Sequence, residues 1–173
     1  MKINEYNGIV LALDLASKNT GYAIYKDRNI VKSGTWKFKP ESYHRELYKK
    51  VRGIVKEFSV TELVSEDIFM DSHYTKVRAY PILAECKGII NLISELLNIP
   101  ISFYRPIMVK QHIWGRSHNS TREQEKRAMI MAITKNYGYT LESLSADDEA
   151  DAIGLLITFL DYHGYPLNNN LKV

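Results

Sequence analysis

Gly8-Ile9-Val10-Leu11-Ala12-Leu13-Asp14 is an apolar run that ends in an acid. A run with no polar alternation reads as a central strand covered on both faces. Thr20–Tyr25 and Ile30–Phe38 follow at once as strands, with Asp27-Arg28-Asn29 as the turn between them, which predicts three consecutive antiparallel strands. After Pro40 the period changes: Leu47, Val51, Ile54, Val55 and Phe58 recur at helical spacing, so Glu41–Phe58 is expected to be a helix. Glu62–Ile68 reads as a fourth strand. Tyr74–Leu97 reads as a long helix, kinked or started afresh at Pro81, and Ile101–Tyr104 as a fifth strand entered through Pro100. The remainder is mostly helical, over Ile107–Ile113, Thr121–Tyr137 and Ala146–His163, with a polar loop at Gly115–Ser120 and a frayed tail from Pro166. This order predicts an α/β domain, a five-stranded mixed sheet flanked by helices.

The chain has 173 residues, 45% of them hydrophobic and 25% charged, which suits one globular domain spanning 1–173. Cys86 is the only cysteine, so an intramolecular disulfide is excluded and a reducing compartment is expected. The first residues lack the basic, apolar, small-residue order of a signal peptide, and no apolar stretch approaches the length of a bilayer span. A cytoplasmic protein without membrane attachment is expected.

The net charge of +3 is modest but unevenly spread. Lys18 to Lys56 carries eleven basic residues against Asp27, Glu41 and Glu46. Arg105, Lys110, Arg116, Arg122, Lys126 and Arg127 form a second basic group. From Ser143 to Asp161 the charges are all acidic: Asp147, Asp148, Glu149, Asp151 and Asp161. Basic surfaces beside a concentrated acidic site suit a protein that holds a polyanion and brings metal ions to it. Solvated helix and strand faces would give the same counts.

Three segments offer carboxylates. Asp14 ends a buried strand, where a charge is costly unless a cation pairs with it, although a turn cap through Ser17 or Thr20 would also place an Asp there. Glu66 lies near the end of the fourth strand. Alternation puts Val64, Glu66 and Ile68 on one face and Leu63, Ser65 and Asp67 on the other, so only one acid of the pair can enter a given site; both could instead face water. In Asp147-Asp148-Glu149-Ala150-Asp151, Asp148 and Asp151 are three apart and share a helix face. Complementing the helix dipole accounts for Asp147 and Asp148, but poorly for Asp151, a full turn in between Ala150 and Ala152. Together the acids suit hard divalent cations, which take oxygen ligands and, in pairs, promote phosphodiester cleavage.

Asp14 followed by Thr20-Gly21-Tyr22, then Glu66-Asp67-Ile68-Phe69, then Asp148-Glu149-Ala150-Asp151-Ala152 resembles the RuvC family of Holliday junction resolvases, in the RNase H-like superfamily, over roughly Ile9 to His163. The resemblance implies a homodimer that binds a four-way DNA junction and nicks two strands symmetrically with Mg²⁺ or Mn²⁺, two ions per site and no nucleotide cofactor. It implies Asp14, Glu66, Asp148 and Asp151 as catalytic metal ligands and Lys110 as a basic residue near the scissile phosphate. Arg122 corresponds to a second basic position, usually Lys, and Arg116 and Lys126 join the expected DNA contacts. Phe69 falls where the family stacks an aromatic on a junction base, or packs as a core residue beside Ile68. Leu15-Ala16 stands where the family often has Pro-Gly, and the loop around Trp114-Gly115-Arg116 also departs, as in divergent phage-encoded members. Alternatives within the fold are a nuclease on forks, flaps or structured RNA, and a non-catalytic DNA-structure binder. Asp14–Gly21 also faintly resembles the first phosphate loop of actin-like ATPases, which need two such domains and a second Gly-rich loop.

Overall fold

The computed structural model describes residues 7–16, 18–68, 80–115, 121–139 and 147–168. Strands β1 (Val10–Leu15), β2 (Asn19–Lys26) and β3 (Asn29–Lys37) form an antiparallel meander. A 3₁₀ turn at Pro40–Ser42 leads into helix α1 (Tyr43–Phe58). Strand β4 (Glu62–Glu66) returns parallel to β1, and β5 (Ile101–Tyr104) lies parallel to β4 after helix α2 (Tyr80–Leu97). Helices α3 (Pro106–Trp114), α4 (Arg122–Tyr137) and α5 (Asp147–His163) complete the chain. The sheet order is β3-β2-β1-β4-β5, so the expected five-stranded mixed sheet is present and β1 is its centre.

Alternation along β1 divides the core. Val10 and Ala12 face a layer made by α3, α4 and α5, and Leu11, Leu13 and Leu15 face α1 and α2. Helix α5 is apolar nearly all round, with Ala152 through Leu160 buried, because it lies between the sheet and the α3–α4 pair. Helix α1 buries only the stripe Tyr43, Leu47, Val51, Ile54 and Val55. Thr121 caps α4: its hydroxyl accepts from the Gln124 amide (3.3 Å), and the Gln124 side chain accepts from the Thr121 amide (2.8 Å).

Some boundaries differ from the sequence reading. The fourth strand ends at Glu66, two residues before the expected Ile68, with the Asp67 amide still donating to the Tyr104 carbonyl of β5 (2.8 Å). Pro81 sits in the first turn of α2 as described, where its missing N–H costs nothing; the expected start at Tyr74 lies outside the described residues. The start of the tail is held rather than frayed. The Tyr25 hydroxyl donates to the Pro166 carbonyl (2.8 Å), and the Asn168 amide donates to the Arg28 carbonyl (2.7 Å). Among the described residues no helix is long and apolar enough to cross a membrane.

Candidate active site

Strand register carries Asp14 and Glu66 to the same end and the same face of the sheet. Asp14 follows Val10 and Ala12 in alternation, and Glu66 follows Val64, so both point toward the α5 layer. Asp67 points the other way and is taken by Lys87 of α2, Nζ to Oδ1 2.6 Å. The choice between the two adjacent acids is thus made by strand parity.

Helix α5 delivers the remaining carboxylates because Gly21 lets it come close. Gly21 pairs with Asp14 across β1 and β2, and a Cβ there would collide with the main-chain carbonyl of Asp148. The first turn of α5 therefore lies flush against the strand beside Asp14. Asp148 and Asp151 both enter the field of Asp14. Asp14, Asp148 and Asp151 line an open cleft of about 220 Å³ together with Lys110, Arg122, Glu125, Lys126 and Asp147. Glu66 adjoins them through Asp14 and Asp151.

The electrostatics are those of too many negative charges in one place. Burial pushes the Asp14 carboxyl well above its ordinary range, and the charges of Glu66, Asp151 and Asp148 push it further. Glu66 is raised to about 7, by burial first and then by Asp151, with Lys110 and a hydrogen bond from Asp14 working against this. Asp151 is raised to about 6, again mainly by burial, with Lys110 opposing and Asp147 and Asp148 adding. Asp148 is also raised by burial and Asp147, offset by Asn19, Lys126 and Arg122. Burial and mutual repulsion thus favour the protonated forms of Asp14 and Glu66.

Several of the other members have partners that the sequence did not reveal. The Asn19 side-chain amide donates to Asp148 Oδ2 (3.0 Å) across 129 residues of chain. Lys110 Nζ pairs with Glu125 Oε2 (2.8 Å), and Lys126 pairs with Asp147. Tyr43, at the start of α1, donates its hydroxyl to the Ala16 carbonyl (2.5 Å) and meets the Thr20 hydroxyl at 3.0 Å, which braces the turn between Asp14 and Asn19. Nothing local in the sequence signals these links, since each joins segments distant along the chain.

Three of the predicted acids, Asp14, Asp148 and Asp151, and three of the predicted cations, Lys110, Arg122 and Lys126, line this cleft, and Glu66 adjoins it. Phe69 and Arg116 lie outside the described residues. Four carboxylates of raised pKa on three elements form the hard-oxygen donor set that a divalent cation requires, and a cation is what would offset their repulsion. Among the described residues no group of three His, Cys, Asp or Glu side chains is already set to hold a metal ion.

A sheet of order β3-β2-β1-β4-β5, with acids at the ends of β1 and β4 and on a helix laid across them, defines the RNase H-like class. The family model for "Crossover junction endodeoxyribonuclease RuvC" matches residues 10–159, and the chain belongs to that family. It is 25% identical to the crossover junction endodeoxyribonuclease RuvC of Syntrophomonas wolfei, covering 94% of this chain and 93% of the relative. It is 27% identical to that of Brachyspira hyodysenteriae, covering 86% and 91% respectively. Among solved structures, Thermus thermophilus RuvC in complex with a Holliday junction substrate superposes with a TM-score of 0.72 at 16% identity, covering 91% of this chain and 95% of that one. Fowlpox virus resolvase bound to Holliday junction DNA gives 0.58 at 16% identity, covering 90% and 98%.

Proposed function

We propose that the chain is a metal-dependent endodeoxyribonuclease, one nuclease domain over 1–173, that resolves four-way DNA junctions by nicking two strands. The convergence of Asp14, Glu66, Asp148 and Asp151 on one cleft carries this reading, and membership in the crossover junction endodeoxyribonuclease family sets the substrate class. Those four residues would hold the cations, Mg²⁺ or Mn²⁺ by the hardness of the donors and two in number by the count of acids. When bound, such ions supply an activated water and stabilise the leaving oxygen of a phosphodiester.

The protein's own groups do the rest. Burial and crowding raise Asp14 and Glu66, so a bound cation must displace the protons they hold before both carboxylates can act as ligands. Asn19 fixes the rotamer of Asp148 from the neighbouring strand. Lys110, Arg122 and Lys126 present cations along the rim, where a scissile phosphate would sit and draw Lys110 away from Glu125. Phe69 and Arg116 complete the proposed DNA contacts from the segments that follow β4 and α3.

Paired nicking calls for two sites, and α2 offers a surface for a second copy. Tyr80, Ala84, Gly88, Leu92 and Leu96 recur every fourth residue and are all exposed, Leu92 by 49% and Leu96 by 64%. An apolar stripe of this kind suits a self-complementary two-fold contact. A monomer in sedimentation at micromolar concentration would count against it.

Asp14→Asn and Asp151→Asn test the site itself. Each is expected to abolish junction cleavage while junction binding survives at moderate salt, read by denaturing and native gels side by side. Full cutting by both variants would remove these residues from the mechanism.

A further inference from the structure

A second concavity, of about 500 Å³, lies on the α1–α2 face of the sheet, lined by Tyr48, Lys49, Arg52, Lys56 and Leu97 among others. Its cations belong to a regular pattern. Arg45, Lys49, Arg52 and Lys56 stand at i, i+4, i+7 and i+11 of α1 and are all exposed, so they form one stripe along the helix. The acids of α1 do not neutralise it, because Glu57 is engaged by Lys32 (3.4 Å) and Glu46 by the Ser42 hydroxyl. Among the described residues Arg45, Lys49 and Lys56 have no acidic partner. Arg52 is held in place: its Nη1 donates to the Tyr48 hydroxyl (2.9 Å), and its guanidinium carbon lies 5.4 Å from the Tyr48 ring centroid.

The stripe begins at the catalytic end of the sheet. Tyr43, two residues before Arg45, donates to the Ala16 carbonyl at the turn that follows Asp14. From there the cations run roughly 16 Å along the helix at 1.5 Å per residue. At about 3.4 Å of rise per phosphate of one strand, that length matches roughly five base pairs.

We propose that this groove binds the phosphodiester backbone of a DNA arm that is not the one being cut. The proposal rests on the reading of the substrate as branched DNA and adds a second contact region, on the opposite face of the sheet from the acidic cleft. A branched substrate is the case in which one arm can fill the cleft while another lies along α1. The evenly spaced, unneutralised cations along the groove fit a repeating polyanion.

The test uses the full chain and fluorescence anisotropy in EDTA, over a range of salt, on a four-way junction with long arms and on one with arms trimmed to a few base pairs. The triple variant Lys49→Gln/Arg52→Gln/Lys56→Gln is compared with wild type and with the charge-keeping variant Lys49→Arg/Lys56→Arg. On long arms, the slope of log affinity against log salt is expected to fall by about 2–3 in the triple variant, with affinity weakened tenfold or more at moderate salt. On trimmed arms the difference should vanish, and the charge-keeping variant should bind like wild type. Unchanged slope and affinity on long arms, as expected if the groove serves an acidic protein instead, would overturn the proposal. Equal weakening on both substrates would overturn it too. Wild-type cleavage of the same junction with Mg²⁺, run in parallel, separates failure of the groove from failure of the nuclease reading: a wild type that neither binds nor cuts overturns both.

Discussion

Asp14, Glu66 and Asp151 are raised in the same direction for the same reasons, burial and one another, and this has a consequence for stability in the absence of metal. Their folded-state pKa values stand above the unfolded ones, which are near the ordinary 3.8 and 4.5. The folded protein therefore binds protons more tightly than the unfolded chain. The stabilisation is complete below about pH 4 and is lost as pH rises through 6 and 7. A metal-free sample should melt lower at pH 8 than at pH 5, by roughly 4–8 °C for a loss of about 2 kcal/mol. Asp14→Asn, which removes one of the crowded charges, should flatten that fall even as it abolishes cleavage. A melting temperature that rises from pH 5 to pH 8 in EDTA would mean that the carboxylates do not repel one another as described. At this scale the acids were legible in the sequence because a charge at the end of an apolar strand is costly without a cation, and because Asp148 and Asp151 share a helix face. Asn19, Tyr43 and Glu125 were not legible, since each acts on a residue that only the fold brings near.

Helix α5 is the element on which the site depends, and Gly21 is what admits it. The sequence presented Thr20-Gly21-Tyr22 as part of a motif without saying what the glycine does. The structure gives the reason: the carbonyl of Asp148 occupies the space a Cβ would need. Gly21→Ala must push the first turn of α5 away from β2, carrying Asp148 and Asp151 from Asp14. Overpacking of this kind costs about 1–3 kcal/mol. The expected result is a folded protein with a lowered melting temperature and a large loss of cleavage, whereas wild-type activity would show that α5 need not lie so close. Leu15-Ala16 is explained at the same scale. Leu15 is buried among the residues facing α1 and α2, and the Ala16 carbonyl receives the Tyr43 hydroxyl. Element order was readable from periodicity because β1 is apolar throughout and α1 shows a clean stripe. Boundaries were less so: Pro166–Asn168 is anchored by the Tyr25 hydroxyl donating to the Pro166 carbonyl and by the Asn168 amide donating to the Arg28 carbonyl, both distant along the chain.

On the scale of the whole molecule, the two sides of the sheet differ in charge pattern. The α3–α5 side carries the carboxylates and the rim cations, and the α1–α2 side carries the cationic stripe and the exposed apolar face of α2. The uneven charge along the chain foreshadowed this division, but counts alone could not separate a DNA-binding face from a solvated one. Gel-resolved cleavage of a synthetic four-way junction, with Mg²⁺ and with EDTA, bears most directly on the central claim that the gathered carboxylates work through divalent cations. With Mg²⁺ the junction should be nicked on two opposed strands at related positions, and with EDTA it should remain intact but bound. Strand scission that persists in EDTA, or an uncut junction in Mg²⁺ despite stable binding, would contradict it.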